Sequence, residues 1–269
     1  MIVRDFTETG DAAAMPAGLP IDASLRHVTL TCSEELLLLL VPLEDDHEQP
    51  LPGEMPRENV LFTEMVSTWV GGGPQPPVPV ASLVTVPLYG CHVAWTPGRA
   101  AVIGPPARLA LLATAVTDFA NGEAELRHLE QRCARLVDGL EGDASRTFEL
   151  HKPSPSHREE LAARFREAVA VRGRLALLAP VVHAPPIHPP TLASQLSERL
   201  RDRTRLAERH EFAVDRAEIA ERIYEGCGQR AADFSIARSQ LTLEWAIVVL
   251  LIVQTVLLVV DLLSRGGST

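Results

Sequence analysis

Four histidines are the residues best suited to bind a metal ion in this chain, because they fall in two close pairs. They are His151, His157, His183 and His188. His183 and His188 flank a proline-rich turn, so their rings share no helix face, and no cysteine or paired acid accompanies them. We therefore predict no metal site and no cofactor.

Other catalytic patterns are also missing from the sequence. The glycine run 71–73 is followed by proline and lacks a nearby Lys-Ser/Thr pair, so it does not form a phosphate-binding P-loop. Neither GxSxG nor HExxH occurs. The cysteines lack a CxxC pair, which favours reduced, packed thiols: Cys32, Cys91, Cys133 and Cys227. We expect no catalytic residue and no enzyme activity, and the alternative is a membrane-tethered hydrolase that uses His92 or His183.

An apolar run at residues 243–263 predicts one transmembrane helix. Its length matches the roughly 20 residues that cross a bilayer core of about 30 Å. Gln254 and Thr255 are uncharged, and Asp261 lies near the end, where it can reach the headgroups. Trp245 marks the near boundary as an interfacial aromatic residue. The alternative is a fully buried core helix of a soluble protein.

The charge of the chain limits its partners and indicates a side of the membrane. A formal net charge of −10 and a pI near 5.4 argue against nucleic acid and against polybasic attachment to anionic lipid. Arg230 and Arg238 precede the span, and Arg265 alone follows it. This slight positive-inside bias predicts that the large N-terminal part lies in the cytoplasm. Residues 1–18 have no continuous apolar region, so we expect no signal peptide.

Breaks rich in glycine and proline divide the N-terminal part of the chain. We predict a flexible arm over residues 1–25 and an interrupted β-containing module over 26–80. The leucine run 36–40 is either a strand or a short buried helix, because its periodicity does not separate the two. Thr96-Pro97-Gly98-Arg99 lies between two β-rich runs and predicts a hairpin with a type II turn.

Helical spacing dominates the rest of the chain. Apolar positions predict helices over 107–120 and 123–142, and Ser156 with Glu159 forms a capping box for a third helix. From Thr191 the pattern predicts helix almost to the last residue.

Together these elements predict an α+β fold. A small β-containing N-terminal part precedes a helical C-terminal half that ends in one transmembrane helix. We expect the α+β domain, with its long C-terminal helices, over residues 81–240, followed by the span at 243–263.

The last long helix carries a narrow row of small and apolar residues, which we call the seam. Its members alternate steps of four and three residues: Ala213, Ala217, Ala220, Tyr224, Cys227, Ala231 and Phe234. The seam predicts close packing against another helix, either within the chain or in a homo-oligomeric coiled coil before the membrane. Acidic residues and arginines alternate over 199–222, which indicates a solvated helix face or, alternatively, a docking surface for a partner.

Two sequence motifs, one in the last long helix and one at 89–95, resemble those of a known family. The first motif is the helix 211–219, which contains Arg216, with Leu243-Glu244-Trp245 opening the span some two dozen residues later. The second is the run Tyr89-Gly90-Cys91-His92-Val93-Ala94-Trp95. These motifs resemble the required-for-meiotic-nuclear-division family, membrane proteins of largely unknown biochemical function. The similarity covers about residues 85–265, and Ala220-Glu221-Arg222 stands where the family usually has Asn-x-Arg.

This resemblance implies an α+β domain on a C-terminal membrane anchor and no enzyme activity. The family's eukaryotic members are mitochondrial, but the composition rich in alanine and arginine favours a bacterial inner membrane here. We therefore expect a non-catalytic interaction or scaffold protein with one span, which binds a protein partner or forms a homo-oligomer. The alternatives are a membrane-tethered enzyme of unknown reaction and a transport-complex subunit with Gln254, Thr255 and Asp261 facing the interior of an oligomer.

Overall fold

A computed structural model of the chain describes residues 2–5, 19, 22–43, 57–72, 83–148, 155–183 and 191–266. The strands are β1 (Ile2–Asp5), β2 (Ser24–Thr29), β3 (Glu35–Pro42), β4 (Val84–Leu88), β5 (Cys91–Thr96) and β6 (Arg99–Gly104). The helices are α1 (Arg57–Gly71), α2 (Pro106–Phe148), α3 (Pro155–His183), α4 (Leu192–Thr204) and α5 (Leu206–Gly266). The strands and helices form two compact units. The sheet unit is Met1–Ala134 with Val171–Arg216, and the helical unit is Arg135–Ala170 with Ala217–Thr269.

The six strands form one sheet in the order β1-β2-β3-β6-β5-β4. Neighbouring strands are antiparallel except β3 and β6, which are parallel, with Leu37 opposite Arg99 and Val41 opposite Ile103. A parallel pair cannot be closed by a tight turn, so the chain must leave the sheet between these two strands. It does so through α1, which lies on one face of the sheet.

The leucine run 36–40 forms strand β3 and no helix. Leu39 and Val41 pack with Val66 and Val70 of α1 on one face of the sheet. Leu38 points to the other face, because side chains alternate along a strand, and it is buried there as well. A strand that is buried on both faces shows no alternation of polar and apolar residues, which explains the ambiguity of this run in the sequence.

Hydrogen bonds attach the C-terminal end of α1 to the end of the β5–β6 hairpin. Thr96 Oγ1 donates a bond of 3.0 Å to the Val70 carbonyl, and Arg99 Nη1 donates one of 2.9 Å to the Trp69 carbonyl. The Arg99 guanidinium also lies 5.0 Å from the centre of the Trp69 ring. The last carbonyls of a helix have no partner within the helix, so a hydroxyl and a cation at this end stabilise it.

Two tight turns join β4, β5 and β6 into a meander. Gly98 has φ = 87°, as a type II turn requires after Pro97, so the predicted hairpin is confirmed. The turn before it was not predicted. Tyr89 and Gly90 have φ of 31° and 77°, and two positive values are characteristic of a type I′ hairpin turn.

Helix α2 passes through Asn121-Gly122, where the sequence predicted a break between two helices. The Thr31 N–H donates a hydrogen bond of 3.2 Å to Asn121 Oδ1. Phe119 packs edge-to-face against Trp95, with 5.1 Å between the ring centres. Burial against the sheet therefore offsets the low helix propensity of glycine, a cost of about 1 kcal/mol. Because Trp95 and Thr96 point to opposite faces of β5, α2 covers the face opposite α1.

The prediction of one unbroken helix from Thr191 was wrong at Arg205. This residue adopts the left-handed conformation, with φ = 51°, and its N–H bonds to carbonyls of the last turn of α4. Helix α5 then begins at Leu206 and continues to Gly266. A left-handed cap is usually a glycine, so an arginine in this role leaves no signal in the sequence.

Strand β4 forms one edge of the sheet, and Pro87 lies in it. Proline has no N–H, so this residue donates no hydrogen bond at the edge. Its carbonyl accepts a bond of 2.7 Å from Arg199 Nη1 of α4. Arg108 Nη1 donates a bond of 2.8 Å to the Tyr89 carbonyl at the end of the same strand. Two arginines thus occupy backbone acceptors at this edge.

The fold is α+β, as predicted, with a mixed sheet in the N-terminal part, a mostly helical C-terminal half and an apolar final helix. The expected divisions of the chain differ from the structure. Strand β1 lies within the stretch expected as a flexible arm, and its Ile2 is opposite Thr29 of β2. The boundary expected at residues 80 and 81 runs through one sheet, because β3 precedes it and its partner β6 follows it.

Gly104→Ala should destabilise the protein, because the added Cβ would lie 2.8 Å from Cys91 Sγ and 3.2 Å from its Cβ. Such overpacking costs about 1–3 kcal/mol. Gly173→Ala is the matched control, at an exposed position of α3 with nothing within 4 Å of the added atom, and it should stabilise by about 0.5–1 kcal/mol. Thermal unfolding of the full-length variants in detergent micelles measures both changes. Equal stability of the two variants would contradict the close approach of β5 and β6.

Candidate functional site

The segment Ser239–Leu257 of α5 is long and apolar enough to cross a membrane, and none of it is buried in the described part of the chain. Its large apolar side chains are exposed on every side of the helix, among them Ile247, Leu250 and Val253. A core helix of a soluble protein buries such side chains, so this segment differs from that alternative. It overlaps the predicted span 243–263 and is a candidate membrane anchor.

Two uncharged polar residues, Gln254 and Thr255, interrupt the apolar run from Trp245 to Leu257, and they differ in their hydrogen bonds. Thr255 Oγ1 donates a bond of 2.8 Å to the Leu251 carbonyl, one turn earlier in the same helix. Gln254 is exposed, and its side chain has no hydrogen-bond partner among the described residues. Within lipid the threonine would therefore be satisfied by its own helix, whereas the glutamine amide would not.

Three of the family-like motif residues, Tyr89, Gly90 and Trp95, lie on one hairpin of the sheet unit. Tyr89 and Gly90 form the exposed turn between β4 and β5. Trp95 is buried at the other end of β5, where it packs against Phe119. The tryptophan is therefore a core residue, and only the turn is accessible to a partner.

The remaining family-like motif residues lie on α5. Arg216 is exposed, and its guanidinium lies 4.3 Å from the centre of the Phe212 ring. Leu243, Glu244 and Trp245 follow on the exposed apolar segment, and Trp245 is 69% exposed. This tryptophan is free to lie at a membrane–water interface, which is where such residues are enriched.

Five of the seven seam residues are buried: Ala213, Ala217, Ala220, Tyr224 and Cys227. Cys133 Sγ of α2 lies 3.6 Å from the Ala213 carbonyl, and the Tyr224 hydroxyl donates a bond of 3.1 Å to the Leu136 carbonyl, also of α2. Ala213 and Tyr224 therefore pack against α2 of the same chain, and the other three are buried within the chain as well. Ala231 and Phe234 lie outside the side chains that the structure describes.

A buried glutamate is the centre of an ion-pair network in the sheet unit. Glu123 is 3% exposed, and it accepts bonds of 3.0 Å from Arg127 Nη2 and 3.2 Å from Arg209 Nη1. Arg209 also binds Glu130 through two bonds of 2.9 and 2.6 Å, and Arg127 binds Glu34 at 2.9 Å. Three carboxylates thus share two guanidinium groups, which links α2, α5 and the β2–β3 turn.

Burial raises the pKa of Glu123 above its usual value, although both arginines lower it. The nearby charge of Glu130 adds to the increase. The hydrogen bonds from Arg209 to Glu130 raise the pKa of this arginine, while desolvation opposes them. The charged form of Glu123 therefore carries a desolvation cost that its partners do not fully offset.

The expectation of a solvated or docking face over 199–222 was wrong for Arg209, whose side chain is 30% exposed and holds two carboxylates. It fits Arg222, which pairs with Glu218 at the surface. A signal for the network was present in α2. Glu123 is four residues before Arg127, a spacing that places a carboxylate beside a guanidinium on one helix face. Its partner on α5 could not be read from the sequence.

A second buried polar group lies in the helical unit. Asp143 Oδ2 forms an ion pair with Arg164 Nη1 and lies 3.3 Å from the Tyr224 hydroxyl. Burial raises the pKa of Tyr224, and the bond from Arg164 lowers it. A Cβ at Gly139 would lie 2.5 Å from Arg164 Nη1 and 3.2 Å from the Tyr224 oxygen. The absence of a side chain at this glycine therefore gives the group its space.

The histidine pair His183 and His210 lies in the sheet unit. His183 Nε2 is 3.3 Å from His210 Nδ1, and His210 Nε2 is 2.9 Å from the Leu175 carbonyl. Because a carbonyl only accepts, His210 Nε2 carries a proton and donates it. In its neutral form Nδ1 then accepts from His183 Nε2. The pair is held by hydrogen bonds, and only His183 is exposed.

The other histidines give no metal centre in the part of the chain that the structure describes. No group of three histidine, cysteine, aspartate or glutamate residues is placed there to hold an ion. His92 is buried on β5, and burial lowers its pKa. His151 and His188 lie outside the described residues, as does the side chain of His157.

Comparison with known proteins gives little. Neither a family model nor a curated protein matches this sequence. Among solved structures the chain is similar to "structure of the full-length CmaX protein", with a TM-score of 0.39 and 10% identity over 80% of this chain and 73% of that chain. A TM-score below 0.5 supports no inference about this protein.

Arg209→Met should destabilise the protein, because it leaves Glu123 with Arg127 alone and Glu130 without its paired bonds. Breaking a fully buried pair costs about 3–5 kcal/mol, and the partial exposure of Arg209 reduces this to about 2–3 kcal/mol. Arg222→Met removes an exposed pair and should cost about 0.5 kcal/mol or less. Thermal unfolding in micelles compares the two. Similar small losses would show that the network contributes no more than a surface pair.

Glu123→Gln should change how stability depends on pH. Because burial raises the pKa of Glu123 in the folded state, the unfolded chain loses this proton first as the pH rises from about 4. The stability of the wild type relative to the variant should therefore fall between that pH and the higher folded-state pKa, and then level off. Unfolding temperatures from about pH 4 to 8 measure the difference. A relative stability that rises with pH would show that the arginines outweigh burial.

Proposed function

We propose that this chain is a non-catalytic interaction protein, anchored in a membrane by α5. The observation that carries the proposal is the segment Ser239–Leu257, a helix long and apolar enough to cross a membrane, with no buried part among the described residues. Burial of apolar surface is favourable by about 25 cal/mol per Å². A helix that exposes apolar side chains on all sides gains this energy in the hydrocarbon of a bilayer.

The charges beside the segment support an orientation with the α+β part in the cytoplasm. Arg230 and Arg238 precede the segment on α5, and Arg265 follows it. Basic residues in short flanking regions set the orientation, whereas acidic residues contribute little. The bacterial inner membrane is the location we propose.

The bonding of the buried carboxylates supports a structural role for them. Both oxygens of Glu123 accept from arginines, and Asp143 accepts from Arg164 and Tyr224. A general acid or base must reach a substrate proton with the same oxygens. These groups instead bond to side chains on neighbouring helices, which suits a body that presents a fixed surface to a partner protein.

Kinship with the required-for-meiotic-nuclear-division family is part of the proposal. It rests on the sequence motifs at 89–95, 211–219 and 243–245 alone. An α+β body followed by one apolar helix is compatible with what that resemblance implies.

The double variant Leu250→Arg with Val253→Arg should release the full-length protein from membranes. Two arginines at mid-segment cost roughly 6 kcal/mol of insertion energy. Leu177→Arg is the matched control, because it adds an arginine at an exposed position of α3 and should leave the protein membrane-bound. Carbonate extraction of bacterial membranes measures attachment, and protease protection of an N-terminal tag in spheroplasts reads the orientation.

Wild-type protein that carbonate extracts as soluble would overturn the anchor. Wild-type protein that resists extraction, but whose tag is digested in intact spheroplasts, would keep the anchor and reverse the proposed orientation.

A further inference from the structure

Five exposed residues of the apolar segment lie on one face of α5, which we call the Gln254 stripe. They are spaced alternately by four and three residues: Leu243, Ile247, Leu250, Gln254 and Leu257. This spacing allows two helices to pack along a shared line of contact. The stripe thus combines one primary amide with four aliphatic side chains.

The amide of Gln254 needs a hydrogen-bond partner if the segment crosses a membrane. It carries two N–H donors and a carbonyl acceptor, and hydrocarbon contains no water to bond them. The nearest members of the stripe, Leu250 and Leu257, have aliphatic side chains and offer none. Thr255 differs, since its hydroxyl already bonds to the Leu251 carbonyl. No described residue of α5 bonds to the Gln254 side chain, so a second helix is the partner that the stripe can meet.

A second copy of this chain would carry a matching amide at the same depth. Two copies inserted in the same orientation carry Gln254 at the same level of the bilayer. The amide is self-complementary, because the N–H of one copy donates to the carbonyl of the other. The aliphatic members of the stripe then meet their own counterparts. A different membrane protein would need a polar side chain at this same depth.

We propose that the chain self-associates in the membrane as a parallel homo-oligomer through the Gln254 stripe. This inference rests on the proposed membrane anchor and identifies its partner as a second copy. The seam is not this surface, because its five described members are buried against the chain itself. The stripe, by contrast, is exposed along its whole length.

Energy transfer between labelled copies tests the proposal. The full-length chain carries a donor or an acceptor dye at its N-terminus and is reconstituted in phosphatidylcholine vesicles over a range of protein-to-lipid ratios. Gln254→Leu should raise the ratio needed for half-association by about 3- to 30-fold. Thr255→Val is the matched control, because it removes the adjacent polar group, whose bond stays within its own helix, and it should associate like the wild type. Gln254→Asn keeps the amide, so its protein-to-lipid ratio at half-association should be closer to that of the wild type than the ratio of Gln254→Leu.

Disulfide formation between copies maps the face. Ile247→Cys and Leu250→Cys should crosslink under mild oxidation, whereas Val249→Cys and Ile252→Cys, on the opposite side of the helix, should crosslink much less. The unsubstituted chain gives the background from its own four cysteines. Amine-reactive crosslinkers are unsuitable, because Lys152 is the single lysine in the sequence.

Flotation of the same vesicles separates the two possible failures. Protein that does not float with lipid overturns the anchor, and the stripe with it. Protein that floats but shows no energy transfer at any ratio overturns the stripe alone. So does a Gln254→Leu variant that associates like the wild type, or crosslinking that is equal on both sides of the helix.

Discussion

The parallel pairing of β3 with β6 is the contact on which the sheet unit depends. It joins β1, β2 and β3 to the meander of β4, β5 and β6, so that one sheet forms from two distant stretches of chain. The connection required between parallel strands contains α1, which covers one face. The other face is covered by α2, which begins directly after β6. Each helix is therefore placed by the strand pairing and buries apolar side chains of the same central strands.

Charge then determines how the helices of this unit meet. Hydrophobic packing alone tolerates rotation of one helix against another, whereas Glu123 accepts from arginines on two helices at fixed distances. Such a network gains little net stability, because taking the charges out of water is costly. Its effect is to make other arrangements worse, since each would leave a buried carboxylate without a partner. In the helical unit, Asp143 has the same effect on Arg164 and Tyr224.

The elements that could be predicted from sequence are those with a local physical cause. Pro97-Gly98 fixes its own backbone angles, so the hairpin was visible, and a long apolar run is a signal in itself. The pairing of β3 with β6 has no local cause, because the two strands are about 60 residues apart in the chain. The sequence of each strand would suit pairing with any other buried strand. The left-handed Arg205 also leaves no local signal.

Side-chain partners in the candidate site show the same limit. The seam was visible as a line of helix contact, but the sequence could not decide between α2 and a second chain. Arg209 is one of many arginines on an alternating helix, and it turns inward because Glu123 lies 86 residues earlier in the chain. Gln254 was visible as a polar interruption, yet its exposure and its lack of a partner among the described residues required the structure.

The proline on edge strand β4 has a consequence under the proposed membrane anchor. Confinement to two dimensions raises the local concentration of copies, and an open sheet edge would then recruit the edge of a neighbour into a continuous aggregate. Pro87 has no N–H to donate, and its carbonyl already accepts from Arg199. The strand therefore offers no free backbone hydrogen bond at this residue to the edge strand of a neighbouring copy. Under the proposed anchor, crowding at the bilayer surface would therefore be tolerated on this side of the sheet.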